Sequence, residues 1–572
     1  MHSRLIVASL LSICIMPVFA QTILHTEQLG RPTNNSITMN MIFADSVEVK
    51  VDYGVSSGVY GFQTPTQMFP NNAPAEWVLS NLLPNTTYYY RVNYRKYGTT
   101  SFIQRPEYRF QTQRSPTASF TFVVQADPHL DNQTDTAVYN RCLQNQLEDQ
   151  PDFMIDLGDF LMTDKLKNLA TNIIPRDTIP YRCNLLRSYY NKITHSVPLF
   201  IALGNHEGES GWNLDGTPNN IAVWNTLDRK KFFLNPAPNG FYSGDTINHP
   251  LVGLRENYYA WTWGNALFIV LDPYWYTSPK PDSLNGWRWT LGKTQYDWLK
   301  KTLENSQAKF KFVFAHQIIG GDPDGRGGVE FADRYEWGGN NLNGTPGFIA
   351  NRPGWYKPIK DILKENKATI FFHGHDHFFG KQDYNCLVYQ ETPQPSHPNF
   401  SSVTYATDYG YLQGTIIPNS GHIRVTVNTN GCLVEYVRAY KAASENSTRH
   451  NKDISASYFI GNTNCYDSLN LSSPLLYNAN YEDEIVYPNP SNGEVKISFR
   501  NPVMKKMSLN IYNNYGQLVK TIIDNDLLKE GAYTFLWDAK NNAGMEVPNG
   551  MYLLRANSEN ELLFTNKITL QK

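Results

Sequence analysis

The chain has 572 residues, enough for roughly three or four domains. Its 50 Lys and Arg against 52 Asp and Glu leave a formal charge of −2, which excludes the basic footprint of a general nucleic-acid binder. With 41% hydrophobic and 13% aromatic residues, it has ample material for packed cores, and disorder is not the default.

Residues 1–20 carry His2 and Arg4, then run apolar to Phe19 and end on the small Ala20. That pattern predicts a secretory signal peptide cleaved before Gln21, and hence a secreted protein, extracellular or attached to the cell surface. No later stretch reaches 18 consecutive apolar residues, so no transmembrane helix is expected in the mature chain. Cys14 would leave with the signal, and Cys142, Cys183, Cys386, Cys432 and Cys465 would remain. Export permits disulfides, but an odd count leaves at least one thiol unpaired, and none has metal-site spacing such as C-x-x-C.

Residues 22–114 contain short alternating runs at 36–42, 47–51 and 87–92, separated by turn formers, and predict an antiparallel β-sandwich. Between 118 and 442, apolar runs alternate with helical stretches; in 293–303, Tyr296, Leu299 and Leu303 fall at i, i+3 and i+7. This predicts an α/β domain built on sheets. A polar linker is expected at 443–479. Strand signals return at 494–499, 509–512, 533–537 and 550–554, giving a C-terminal β-sandwich over 480–572. The fold class is therefore multidomain: an α/β domain between two β-sandwiches.

Five apolar runs in the central region each end in a chemistry-bearing motif. Residues 120–124 lead to Asp127-Pro128-His129, and 153–157 lead to Gly158-Asp159. Residues 199–203 lead to Gly204-Asn205-His206-Glu207, and 311–315 lead to His316. Residues 369–372 lead to His373-Gly374-His375-Asp376-His377. Ligands in α/β sheets gather beyond the carboxyl ends of strands, so five such loops can share one crevice. Alone, Asp-x-His and Gly-Asp read as ordinary turns and His316 as a buried imidazole, whereas alternate positions of an extended segment put His375 and His377 on one side. Together they offer carboxylate, amide and imidazole without thiolate, a donor set for hard and borderline divalent metals. A pair of ions held there would bind a hydroxide and neutralise a phosphoryl group during attack.

This series resembles the calcineurin-like metallophosphoesterase superfamily over residues 118–442. The resemblance implies a two-sheet α/β sandwich with a dinuclear site at its edge. One ion would take Asp127, His129, Asp159 and His377; the other would share Asp159 and add Asn205, His316 and His375. The ions would be divalent or mixed-valence Fe, Mn or Zn. His206 matches the family histidine that contacts the phosphate and acts as general acid.

Within 22–114, the segments 29–33, 51–54 and 83–91 resemble the fibronectin-III-like domain that precedes the catalytic domain of purple acid phosphatases. Two departures stand out: Met162 occupies the place of the purple enzymes' tyrosine, and His129 is a histidine they lack. The C-terminal segments 487–493, 509–512, 516–519, 550–552 and 567–570 resemble the type A sorting domain of the type IX secretion system. That likeness implies the secretion machinery as a partner.

The expected activity is hydrolysis of a phosphorylated small molecule, a phosphomonoester, with a phosphodiesterase or nucleotidase as the enzymatic alternative. A catalytically silent surface binding protein is the rival from a different class. The aromatic zone of Trp212, Trp224, Tyr274, Trp275, Tyr276, Trp287 and Trp289 would either stack on substrate or pack a core hairpin at 258–271. Arg326, in a glycine-rich loop after His316, is a candidate for gripping a phosphate oxygen.

Overall fold

The computed structural model describes residues 23–282, 285–322, 324–461, 485–501, 504–513, 517–558 and 561–571. The expected signal peptide, Cys14 and Cys465 lie outside the described residues. The chain divides into two compact units, Met1–Asn462 and Thr463–Lys572.

The first unit begins with two antiparallel sheets packed face to face. One contains the strands Ile23–Gly30, Ile37–Phe43 and Pro74–Leu79; the other is built around Val47–Gly54 and Thr87–Lys96. Alternation in Val47–Gly54 puts Val47, Val49 and Val51 inward, against Leu29, Ile37 and Met39 of the opposite sheet.

The central domain of the same unit is a four-layer α/β/β/α sandwich. A six-stranded sheet runs in the order Leu199–Ile201, Phe153–Asp156, Phe120–Gln125, Gly421–Val427, Gly431–Arg438 and Ile454–Gly461. An eight-stranded sheet faces it, with Ala266–Val270, Phe310–Phe314 and Ile370–His373 adjacent and parallel near its middle. Phe122 and Phe153 of the first sheet interlock with Phe268, Phe312, Phe314 and Phe372 between the layers. At roughly 2–3 kcal/mol for each buried Phe, this aromatic layer is a principal source of the domain's stability. Helices Thr136–Glu148 and Thr178–Tyr190 cover one outer face, and Gly292–Glu304 and Ile359–Glu365 cover the other.

The 443–479 segment is not all linker. Ile454–Gly461 pairs antiparallel with Gly431–Arg438 and closes the edge of the six-stranded sheet. Its alternating burial, with Ala456, Tyr458 and Ile460 packed against the core, accounts for the pairing. The second unit contains a three-stranded and a four-stranded sheet around a common core that includes Val495, Leu509, Trp537 and Leu554. Cys142, Cys183 and Cys432 are buried free thiols, whereas Cys386 is disulfide-bonded.

The N-terminal sheets are joined to the central domain through polar groups buried beneath helix Thr178–Tyr190. Arg187 donates to Gln28 Oε1 (2.6 Å), Asn40 Oδ1 (2.9 Å), Phe232 O (2.6 Å) and Thr26 O (3.1 Å). Burial pushes its guanidinium down to about 9. Nearby, His25 Nε2 bonds Asn184 Oδ1 at 2.6 Å, while its buried Nδ1 has no hydrogen-bond partner. Burial lowers His25 to about 4, with Arg187 adding to the effect and the Asn184 bond opposing it. A folded value below the ordinary 6.5 means that the unfolded chain takes up the proton first as pH falls. This stabilisation is complete above about pH 6.5 and is lost as pH falls through about 4. His25→Gln should therefore flatten the fall in thermal midpoint across that window. Parallel curves for the two proteins would remove His25 from the acid response.

Candidate metal centre

Five strands of the two central sheets deliver the site from one end. Phe120–Gln125 precedes Asp127 and His129, Phe153–Asp156 precedes Asp159, and Leu199–Ile201 precedes Asn205 and His206. From the other sheet, Phe310–Phe314 precedes His316, and Ile370–His373 precedes His375 and His377. Possible ligand atoms of Asp127, His129 and His377 lie within 4.8 Å of one another, as do those of Asp159, His316 and His375.

The two groups meet at their carboxylates. Asp127 Oδ1 lies 3.3 Å from His377 Nε2, 3.5 Å from His129 Nε2 and 3.9 Å from His316 Nε2. Asp159 Oδ2 lies 3.1 Å from His316 Nε2, 3.8 Å from His129 Nε2 and 3.9 Å from His206 Nε2. Asn205 Oδ1 and His375 Nδ1 are each 3.1 Å from His316 Nε2.

The hydrogen-bond assignment makes this arrangement unusual. His316 Nδ1 donates to Leu157 O (2.9 Å) and His375 Nε2 donates to Asp324 O (3.0 Å). In the neutral rings, His316 Nε2 and His375 Nδ1 are then bare lone pairs, facing each other and the oxygens of Asn205 and Asp159. Lone pairs aimed at one another repel unless a proton on His316 Nε2 or a metal cation lies among them. Asp127 Oδ1 and His129 Nε2, both buried, likewise have no hydrogen-bond partner. The donor set therefore fits divalent metal ions.

The electrostatics favour positive charge at the same place. Burial disfavours a charged His129, but Asp127 and Asp131 outweigh it and raise the imidazole to about 10. His316, fully buried, is raised to about 9 by Asp159 and Asp127 against the same penalty. Burial pushes Asp127 up, yet His377 and His316 hold it well below the ordinary carboxylate range. Burial instead lowers His375 and His377, which leaves them as neutral donors, whereas a metal ion would have to displace the protons of His129 and His316.

The loops are held in demanding shapes. Asp127, His129, Asp159, His375 and His377 all have φ between 50° and 78°, a region that non-glycine residues seldom occupy. Gly374 admits a close approach: a Cβ there would lie 2.5 Å from Asp127 Oδ2, which accepts the His375 amide at 2.9 Å.

Several supporting residues had no role in the sequence reading. Glu207 accepts the amides of Asp159 (2.9 Å), Gly204 (2.5 Å), Phe160 (2.9 Å) and Leu161 (3.0 Å), tying two ligand loops together. Burial, then the Asp159 charge, pushes Glu207 up to about 8, but both oxygens are filled by N–H donors, so a proton would have to displace one. Arg182 donates to the carbonyls of Leu161 (2.5 Å), Leu130 (3.1 Å) and His129. Arg182→Met leaves these carbonyls without their donor and should lower stability by about 2–4 kcal/mol, read as a denaturant midpoint. Arg182→Lys should recover little of it, because one ammonium cannot span the fork. Glu207 stood inside the Gly-Asn-His-Glu motif, but a lone helical arginine carries no sequence signal.

Arg326 is held from one side. Its Nη1 donates to His375 O (2.8 Å) and Asp376 Oδ1 (3.1 Å), and its guanidinium stacks over Tyr409 at 4.3 Å. Asp376 also accepts the Gly327 amide and the Tyr411 hydroxyl, each at 2.8 Å, so Arg326 braces the histidine loop. His206 Nδ1 bonds Asp164 Oδ1 at 2.9 Å, which fixes the ring while its Nε2 faces the cluster. Most of the aromatic zone is core: Tyr274, Trp275, Trp287 and Trp289 are buried, and Tyr259–Trp263 with Ala266–Val270 forms the expected hairpin. Trp212, Trp224 and Tyr276 are only partly buried.

Residues 120–379 match the calcineurin-like phosphoesterase family. The central domain is a calcineurin-like phosphoesterase domain. The protein is accordingly a metal-dependent phosphoesterase. No curated protein shows a matching sequence. A structure of PhoD is similar in fold, with TM-score 0.55 and 16% identity over 79% of this chain and 92% of that one. A purple acid phosphatase, PPD1 from yellow lupin (Lupinus luteus) seeds, has TM-score 0.51 and 15% identity, covering 76% of this chain and 74% of its own. Beyond the phosphoesterase domain, residues 486–561 match the FlgD Ig-like domain. Among the described residues, no helix is long and apolar enough to cross a membrane.

Proposed function

We propose that the phosphoesterase is a secreted enzyme that hydrolyses phosphomonoesters at a dinuclear centre. Asp127, His129, Asp159 and His377 would hold one divalent ion; Asp159, Asn205, His316 and His375 would hold the other. The observation that carries this reading is the pair of neighbouring groups, Asp127, His129 and His377 beside Asp159, His316 and His375, each with its candidate ligand atoms within 4.8 Å of one another. Bound ions would supply an activated water and charge stabilisation for the transferring phosphoryl group.

The chain's own residues supply the rest. His206, 14% exposed, is reachable from solvent, and Asp164 holds its Nδ1 so that Nε2 can carry the proton to the leaving oxygen. Gly374 and the left-handed ligand residues pre-set the loops, so little reorganisation accompanies binding. The two N-terminal β-sheets and the likeness to a purple acid phosphatase fold favour the monoester. A phosphodiester substrate is the second reading, favoured by His129 inside the cluster and by buried Met162 in the tyrosine position.

Export rests on the apolar N-terminal segment after Arg4. Delivery by a type IX pathway rests on the C-terminal segments quoted above.

The test is turnover of nitrophenyl phosphate beside bis-nitrophenyl phosphate, after reconstitution with Mn or Zn, together with metal stoichiometry. Two ions per chain and monoester preference support the proposal, and diester preference selects the second reading. Absence of both metal and turnover would return the silent binding protein.

A further inference from the structure

The segment that follows Asp164 is built to face outward. Lys165, Leu166, Lys167, Asn168, Leu169 and Ala170 are all exposed, as are Thr171, Asn172 and Ile173. Leu169 is 102% exposed, Ile173 63% and Leu166 39%. Three aliphatic side chains thus stand exposed on one short loop.

The loop is also held in shape. The Asn168 amide donates to Ile173 O (2.9 Å) and the Asn172 amide to Asn168 O (2.8 Å). Asn168 Oδ1 accepts the amides of Ala170 (2.9 Å) and Thr171 (3.2 Å). At one end, Asp164 bonds His206; at the other, Arg176 pairs with Asp228 at 2.5 Å on helix Ile221–Phe232. The result is a closed turn with aliphatic side chains outward, rooted beside the metal cluster.

Its charge identifies the surface it suits. Lys165 and Lys167 flank Leu166, and among the described residues neither has an ion pair. The whole chain is close to neutral, so attraction to an anionic surface must be local. A stable protein partner needs a broad patch of about 1,000 Å² or more, whereas a small protrusion with aliphatic side chains and adjacent lysines matches the headgroup region of an anionic bilayer.

We propose that residues 165–173 dock the phosphoesterase on an anionic lipid surface, with Leu166, Leu169 and Ile173 entering the headgroup layer and Lys165 and Lys167 contacting lipid phosphates. Docking does not depend on the metal reading. The corollary that the substrate is a phosphate ester displayed on that surface does rest on it.

The experiment is flotation of the full chain, with chelator present, on vesicles of phosphatidylcholine alone or mixed with phosphatidylglycerol. The wild-type protein should partition onto the mixed vesicles about tenfold more than onto neutral ones. Leu166→Ser, Leu169→Ser and Ile173→Ser together should reduce that partition by about tenfold. Lys165→Gln with Lys167→Gln should abolish the preference for anionic vesicles. All five side chains lie on the surface, and an unchanged thermal midpoint would confirm that the variants are folded. Failure of the wild type to float, or equal flotation of the triple variant, overturns the docking proposal. Nitrophenyl phosphate turnover, measured separately with metal, reports on the phosphoesterase reading whichever way flotation falls.

Discussion

Asp159→Asn should lower kcat/KM for a phosphate ester by about 10³-fold or more, equivalent to roughly 4 kcal/mol of transition-state stabilisation. Asp159 Oδ1 accepts the His206 amide at 2.8 Å, and Asn retains an oxygen for that bond. The amide nitrogen then replaces Oδ2, which faces His316, His129 and His206. An N–H₂ group donates and cannot ligate a cation, so the fold should persist while the shared ligand is lost. Metal analysis should show fewer than two ions per chain, and the rise in thermal midpoint that metal gives the wild type should shrink. A variant that keeps both ions and full turnover would remove Asp159 from the bridging position.

The second large effect concerns proton delivery. His206→Gln should reduce kcat by about 10²- to 10³-fold with an alkyl phosphate, whose leaving alkoxide needs a proton. With nitrophenyl phosphate the loss should be less than about tenfold, because nitrophenolate leaves without one. Asp164→Asn should give a weaker version of the same pattern: the 2.9 Å bond to Nδ1 orients the ring, and Asn can still accept there. Equal losses on both substrates would point to phosphate binding as the role of His206.

The candidate cluster was legible because each member lies a few residues beyond a compact apolar run, and such runs become strands with a known polarity. Position brought Asp127, Asp159 and His316 to one crevice, and the family resemblance supplied the roles expected of them. Their supports were hidden for a physical reason. Arg182 reaches the ligand loops from helix Thr178–Tyr190, and its partners are backbone carbonyls, which every residue possesses. Arg326 sat in the expected glycine-rich loop, but sequence proximity to the site could not say which groups its guanidinium meets. The edge strand Ile454–Gly461 was masked by the polar run before it, although Ala456, Tyr458 and Ile460 already alternate with smaller or exposed residues. The aromatic zone was ambiguous because core packing and substrate stacking call for the same side chains, and only burial separates them.

Arg187 bears on how the molecule can be taken apart. Gln28, Asn40 and Thr26, three of the residues that meet its guanidinium, belong to the N-terminal sheets. The Leu29 amide adds a main-chain bond to Thr194 O at 2.9 Å, and the Tyr90 hydroxyl donates from its side chain to His195 O at 2.6 Å. Excising residues 23–114 would remove these partners and uncover the surface that they bury on the central domain. The minimal active fragment must therefore begin near the start of the strand Ile23–Gly30, and a protease that cuts near residue 115 should yield two pieces that stay together.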